Sequence, residues 1–130
     1  MVGYAWSDMP DPFPWLPEHH VGIRIHRGWR PSNALFNTGQ PVVFYVSPTR
    51  TVAAHGRFTG EPYPLDQPEH GCHLAIGYAL DGYIPSQRSA PPLAALLGVS
   101  VRQGSYRGLH DDELGRLVTA IRAHQAYVPF

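Results

Sequence analysis

Aromatic and amide side chains occur along this chain at spacings that suit capture of a flat heterocycle. Trp29 and Asn33 lie four residues apart, which places them on one side of a helical turn if Trp29 begins a helix. Aromatic faces stack on nucleobases at ~1–3 kcal/mol per base, and amides hydrogen-bond to base edges. We therefore predict a base-binding pocket. Its predicted lining residues are Trp29, Asn33, Tyr45, Ser47, Tyr78 and Tyr106. Core packing of Tyr45 and Tyr78 is the alternative.

The basic residues are all arginine, whose planar guanidinium can form bidentate hydrogen bonds with phosphate and can stack on bases. Arg30 follows Trp29 directly, and Arg107 follows a Gly-Ser-Tyr turn whose backbone amides could also meet phosphate. We predict Arg30 and Arg107 as phosphate contacts. The alternative is a solvated rim of arginines that form salt bridges with Asp and Glu.

A second group with chemical potential is His70-Gly71-Cys72-His73. Zinc sites usually join two separated ligand pairs, and only scattered histidines could complete one here, so we predict no metal and no cofactor. Cys72 with His55 or His73 as base would make a small hydrolase or transferase, which is the alternative function. Because no G-x-S-x-G, Walker or HExxH motif is present, a non-enzymatic binding module is favoured.

Length and composition exclude several protein classes. The 130 residues suit one domain, the ten basic and ten acidic residues exclude a polycation, and one cysteine excludes a disulfide-stapled mini-protein. No apolar run approaches the ~20 residues that cross a bilayer, and no signal peptide is visible. We expect a cytoplasmic protein that does not contact membranes.

The strand pattern is strongest over 41–46, which is β-branched and aromatic and lies between Gly39 and Pro48. A turn leads from it into 51–58, predicted as the second arm of a hairpin, in which Gly56 marks a bulge or a close approach of another backbone or a ligand. Further strands are predicted at 20–25, 73–80 and 99–101, and a long Pro-rich loop at 60–71.

Three helices are predicted at dispersed positions. The first is short and begins near Pro31, and the second spans 93–97 and ends at Gly98. The third runs from about Asp111 to His124, with acidic residues in its first turn and an apolar stripe for the sheet. That stripe consists of Leu114, Leu117, Val118 and Ile121.

These elements predict an α+β fold, with a small curved mixed sheet or open β-barrel and two or three peripheral short helices. Residues 1–20 form a Pro- and aromatic-rich segment expected to lie on the body, 21–125 the single domain, and 126–130 a tail. A third functional alternative is a protein-interaction domain in which residues 1–18 dock a partner or form a homodimer.

Four pieces of the chain, in this order, resemble the EVE domain of the PUA-like superfamily and, more distantly, the YTH domain. The second piece, T-G-Q-P-V-V-F-Y-V-S, is similar to the family's G-D-x-V-x-F-Y strand, and the third ends in G-E-P-Y, which Pro64 follows to complete G-E-P-Y-P. Gln40 stands where the family usually has Asp, and His55 and Arg57 interrupt an apolar pattern. The pieces are Gly28–Ala34, Thr38–Ser47, Val52–Tyr63 and Gln103–Ile121.

The resemblance implies a PUA-like fold and a pocket that holds a base, such as a modified base, of RNA or DNA. In such a pocket Trp29 would stack on the base and Asn33 would read its edge. Tyr45, Ser47 and Tyr78 would line the cavity, and Arg30 and Arg107 would hold phosphate.

Overall fold

The computed structural model of the protein describes residues 2–4, 15–24, 36–46, 49–67, 72–98 and 107–130. Within these ranges seven strands form one sheet, and two helices accompany it. The strands are β1 (Val2–Tyr4), β2 (Glu18–Arg24), β3 (Pro41–Val46), β4 (Thr51–Phe58), β5 (Tyr63–Gln67), β6 (Cys72–Tyr83) and β7 (Val128–Pro129). The helices are α1 (Leu93–Leu97) and α2 (Asp111–Ala123). The predicted helix near Pro31 and the predicted strand at 99–101 lie outside the described residues.

The sheet has the order β1-β3-β4-β6-β2, and β5 and β7 also pair with β6. β1 runs parallel to β3, whereas the other pairs are antiparallel. The sheet is therefore mixed, and the predicted α+β class with a mixed sheet is confirmed. The 12-residue β6 is its centre, because four different strands pair along it.

Two predicted strands, at 41–46 and 51–58, form with those bounds as the hairpin β3–β4. The prediction of an uninterrupted loop over 60–71 is wrong, because β5 forms inside it and pairs with β6. Pro64 cannot donate a backbone hydrogen bond, which argues against a central strand. At β5 this costs little, since β5 pairs on one side only in the described sheet.

The sheet separates two apolar clusters. One face carries Phe44, Ile76 and Tyr78, with Trp15 packed on Phe44 at a ring distance of 6.0 Å. The opposite face, here called the helix face, packs against α1 and α2. The buried residues of the cluster between this face and the helices are Val43, Tyr45, Val52, Ile84, Ala90, Leu93, Leu97, Leu117 and Ile121. The α2 stripe lies as predicted, with Leu117 and Ile121 fully buried and Leu114 and Val118 partly so.

A β-bulge interrupts the pairing of β4 with β6. His55 is opposite Gly82 and Gly56 is opposite Leu80, so Asp81 is an extra residue on β6. Gly56 is required at this point, since any side chain there would collide with the backbone carbonyl of Ala79. The close backbone approach expected at Gly56 is thus confirmed. Bulges redirect side chains, and this one sets the position of Asp81.

Neither of the two described helices has the length and apolar character needed to span a membrane.

Candidate functional site

A cavity of about 230 Å³ lies on the helix face, between β4, the bulge of β6 and the edge of α2. Its apolar walls come from the start of β3 and from the partly buried side of the α2 stripe. Its polar groups come from β4, the bulge and the last turn of α2. The apolar wall residues are Pro41, Val42, Leu114 and Val118, and the polar side chains are His55, Arg57, Asp81 and Arg122.

His55 forms the buried part of this polar group, with 3% of its surface exposed. Its Nε2 lies 2.9 Å from the Tyr127 hydroxyl, and its Nδ1 lies 3.9 Å from Asp81 Oδ2. Burial lowers the pKa of His55 below its usual 6.5, since a charged imidazolium would be desolvated; Asp81 opposes this shift and the Arg122 cation adds to it. The imidazole is therefore neutral at pH 7.

The segment after α2 holds His55 in place. Tyr127 stacks on the His55 ring, with a centroid distance of 5.9 Å and an angle of 22°. Its phenol occupies the space over Gly82, where any side chain would overlap it. β7 then pairs with Gly82 and Tyr83, and Phe130 stacks on Tyr83 at 5.0 Å. The glycine in β6 is what allows Tyr127 to reach the imidazole.

The charged groups of the cavity, unlike His55, are exposed to solvent. Arg57 Nη2 lies 3.9 Å from Asp81 Oδ2, and the two side chains are 62% and 45% exposed. Such a pair contributes little to stability, so both groups remain available to a ligand. Arg122 adds a second cation from the last turn of α2. The site thus combines two guanidinium groups, one carboxylate and one neutral imidazole beside an apolar wall.

The structure does not bring the two predicted strand tyrosines together. Tyr45 is fully buried in the cluster on the helix face. Tyr78 is 3% exposed on the opposite face, 4.8 Å from the Phe44 ring. These two phenols therefore cannot line one cavity, and both take the core positions that were the alternative. The other predicted pocket and phosphate residues Trp29, Arg30, Asn33, Ser47 and Tyr106 lie outside the described residues.

Arg107, predicted as a phosphate contact, forms an ion pair at the start of α2. Its Nη2 is 2.8 Å from Glu113 Oε2, and Glu113 Oε1 accepts a hydrogen bond from the His110 amide at 3.1 Å. The His110 hydrogen bond is the main reason that the pKa of Glu113 is lowered, and the Arg107 cation adds to it. In this structure Arg107 thus takes part in the salt bridge that was its alternative.

His55 and Cys72 lie far apart in the sheet. Cys72 begins β6, whereas Gly82, the residue opposite His55, lies near the other end of the strand. At ~3.3 Å per residue this separation is about 30 Å along the strand. His55 is thus too far away to be the base for Cys72. Within the described ranges, no group of three or more His, Cys, Asp or Glu side chains is placed to hold a metal ion.

Sequence reasoning missed Asp81, Arg122 and Tyr127 as site residues. Asp81 enters the site through a bulge, and Tyr127 lies far along the chain from its partner His55. The sequence did contain a signal for two further site residues, His55 and Arg57. They interrupt an apolar strand on either side of Gly56, and polar residues at alternate positions of such a strand share one face.

Comparison of the chain with protein-family models, with curated proteins and with solved structures finds no match. The similarity to the EVE domain therefore rests on the four sequence pieces alone and stays a prediction.

Proposed function

We propose that this protein is a non-enzymatic, PUA-like binding module that captures one nucleobase, modified or not, of RNA or DNA. The observation that carries this proposal is the cavity beside His55, in which an apolar wall faces hydrogen-bonding groups and two arginines. The proposed base position thus moves from the predicted aromatic cluster to the helix face. The cytoplasmic location and the homodimer stay predictions.

The size of the cavity favours a small planar ligand. Pockets for drug-sized ligands and cofactors usually have volumes of ~300–1,000 Å³. At about 230 Å³ this cavity lies below that range. A single heterocycle with part of its sugar suits it better than a dinucleotide cofactor does.

The arrangement of groups matches the two chemical halves of a nucleotide. Leu114, Val118 and Pro41 offer an apolar surface to the ring faces. His55 and Asp81 offer polar atoms to the ring edge, and because His55 is neutral it adds no charge there. We propose that Arg122, an exposed side chain in the last turn of α2, holds the phosphate.

The proposal is tested by fluorescence anisotropy with labelled single-stranded RNA and DNA, and by competition with nucleoside monophosphates. We expect Arg122→Gln to weaken binding roughly tenfold. It should also reduce the slope of log affinity against log salt by about 0.7, the value for one phosphate contact in single strands.

Arg116→Gln is the matched control. Arg116 lies on the same helix, is similarly exposed and pairs with Asp112 at 3.5 Å, but it does not line the cavity. This variant removes the same charge and should bind like the wild type. Absence of binding to any strand or nucleotide at low salt would contradict the proposed function. Equal losses in both variants would contradict the placement of the site.

A further inference from the structure

From the pair formed by Asp81 and Arg57 we infer that the cavity selects guanine. Among the described residues that line the cavity, Asp81 alone carries a carboxylate. This assignment depends on the proposed function, since it specifies which base the same cavity would accept.

The carboxylate of Asp81 lies beside His55 and Arg57, but its oxygens are not saturated with hydrogen bonds. Its Oδ2 lies 3.9 Å from His55 Nδ1 and 3.9 Å from Arg57 Nη2, and both distances are too long for hydrogen bonds. In the part of the chain that the structure describes, no other group contacts its oxygens. Asp81 lines the cavity, and its two acceptor oxygens have hydrogen-bonding capacity left over.

Arg57 places a donor beside those two acceptors. Its side chain is 62% exposed and comes from β4, two residues after His55, on the same face of the sheet. The pair thus offers two acceptor oxygens with a donor next to them. The bulge brings Asp81 to this position, because it shifts the register of β6 at the point where the strand passes His55.

Guanine carries the complementary order of groups on its pairing edge. Its 2-amino group and N1–H are adjacent donors, and O6 is the acceptor beside them. A carboxylate can accept both donors in parallel while a guanidinium donates to O6. Adenine, cytosine and uracil each lack two adjacent donors on this edge. A base contact of this bidentate kind discriminates by roughly 5- to 150-fold.

Inosine provides the sharpest test, because its base differs from guanine only in lacking the 2-amino group. We expect the wild type to bind GMP at least about fivefold more tightly than IMP, and IMP more tightly than AMP. Short single strands with one central G, inosine, A, C or U should show the same order if the ligand is a strand. Selective binding of GMP alone would identify a free nucleotide as the ligand, and the base assignment would hold in either case.

Asp81→Asn tests the role of the carboxylate, since the amide keeps the shape but replaces one acceptor with a donor. We expect GMP and IMP to bind this variant with nearly equal affinity. Asp112→Asn, an exposed carboxylate away from the cavity, should leave the preference unchanged. Far-UV circular dichroism of both variants verifies the fold.

Two different failures can be told apart. If the wild type binds nucleotides or strands but shows no preference for guanine over inosine, the guanine assignment is overturned and the proposed function stands. If it binds none of these ligands, both are overturned. A guanine preference that persists undiminished in Asp81→Asn would overturn the role of this carboxylate.

Discussion

The imidazole of His55 and the phenol of Tyr127 are joined by a 2.9 Å hydrogen bond between side chains 72 positions apart in sequence. One end of this contact lies in the middle of β4 and the other in the segment that returns to β6 after α2. This hydrogen bond fixes the ring of His55 through Nε2. The Nδ1 atom, on the other side of the ring, therefore points towards Asp81 and the cavity.

Replacement of Tyr127 by Phe removes this hydrogen bond and leaves Nε2 of a buried imidazole without that partner. We expect the free energy of unfolding to fall by about 1 kcal/mol, the usual contribution of a hydrogen bond of this kind. Urea denaturation at pH 7 measures the change. Tyr83→Phe is a suitable control, because the ring of Tyr83 stacks on Phe130 and this contact survives loss of the hydroxyl. Equal effects of the two variants would contradict the importance of the His55 bond.

Gly82→Ala should destabilise the fold, because the added methyl group overlaps the Tyr127 phenol. Overpacking of this kind costs ~1–3 kcal/mol. Gly115→Ala is the opposite case, since Gly115 lies within α2 and an added Cβ would enter open space. There we expect a gain of about 0.5–1 kcal/mol from helix propensity. Thermal unfolding of both variants measures these shifts, and a stabilised Gly82→Ala protein would contradict the position of Tyr127.

The lowered pKa of His55 predicts a specific dependence of stability on pH. At a pH well above the unfolded-state pKa of about 6.5, the imidazole is neutral in both the folded and the unfolded chain, so it adds no pH dependence there. As the pH falls below this value, the unfolded chain takes up the proton first, and the free energy of unfolding decreases by at most about 1.4 kcal/mol per pH unit.

His55→Gln should remove this part of the pH dependence, while the remaining seven histidines contribute as before. Urea denaturation of both proteins between about pH 7 and pH 5 gives the two slopes. The wild type should lose stability more steeply than the variant. Parallel slopes would show that burial does not hold His55 neutral.

Glu113, in the first turn of α2, predicts a second dependence of stability on pH, which comes from a carboxylate and not from an imidazole. Because the His110 amide and Arg107 lower the pKa of Glu113, its ionised form stabilises the fold above the unfolded-state pKa near 4.5. This contribution is lost as the pH falls through the lower folded-state pKa. Glu113→Gln should therefore be less stable than the wild type at pH 7, and the difference should shrink in acid.

Asp112→Asn is the control for Glu113→Gln. It removes a charge from the same helical turn, but the Asp112 side chain is 77% exposed and its partner Arg116 lies four residues away on the surface. The loss of stability at pH 7 should be smaller than for Glu113→Gln. A larger loss would mean that helix-end charge, and not the hydrogen bond to His110, determines the effect.

The local parts of the fold could be predicted from the sequence. β-Branched and aromatic residues at 41–46 define β3, and the spacing of Leu114, Leu117, Val118 and Ile121 defines the buried side of α2. β5 was missed because Pro64 argues against a central strand, while its position beside β6 alone depends on long-range pairing.

The candidate site could be predicted only in fragments. His55 and Arg57 interrupt an apolar strand, which marks one face of β4 as unusual. The role of Asp81 depends on a bulge between two strands, and Tyr127 meets His55 only after the chain returns to β6. Tyr45 and Tyr78 look alike in sequence, yet their strands direct them to opposite faces of the sheet.

The most direct test of the central claim is the ¹⁵N spectrum of the His55 imidazole during titration with GMP and with a short guanine-containing single strand. The signal is assigned by its absence in His55→Gln. Because His55 lines the cavity, we predict that its Nδ1 resonance shifts progressively and saturates with the same Kd that anisotropy gives for binding. Saturable binding that leaves both His55 nitrogen resonances unchanged would contradict the proposed site.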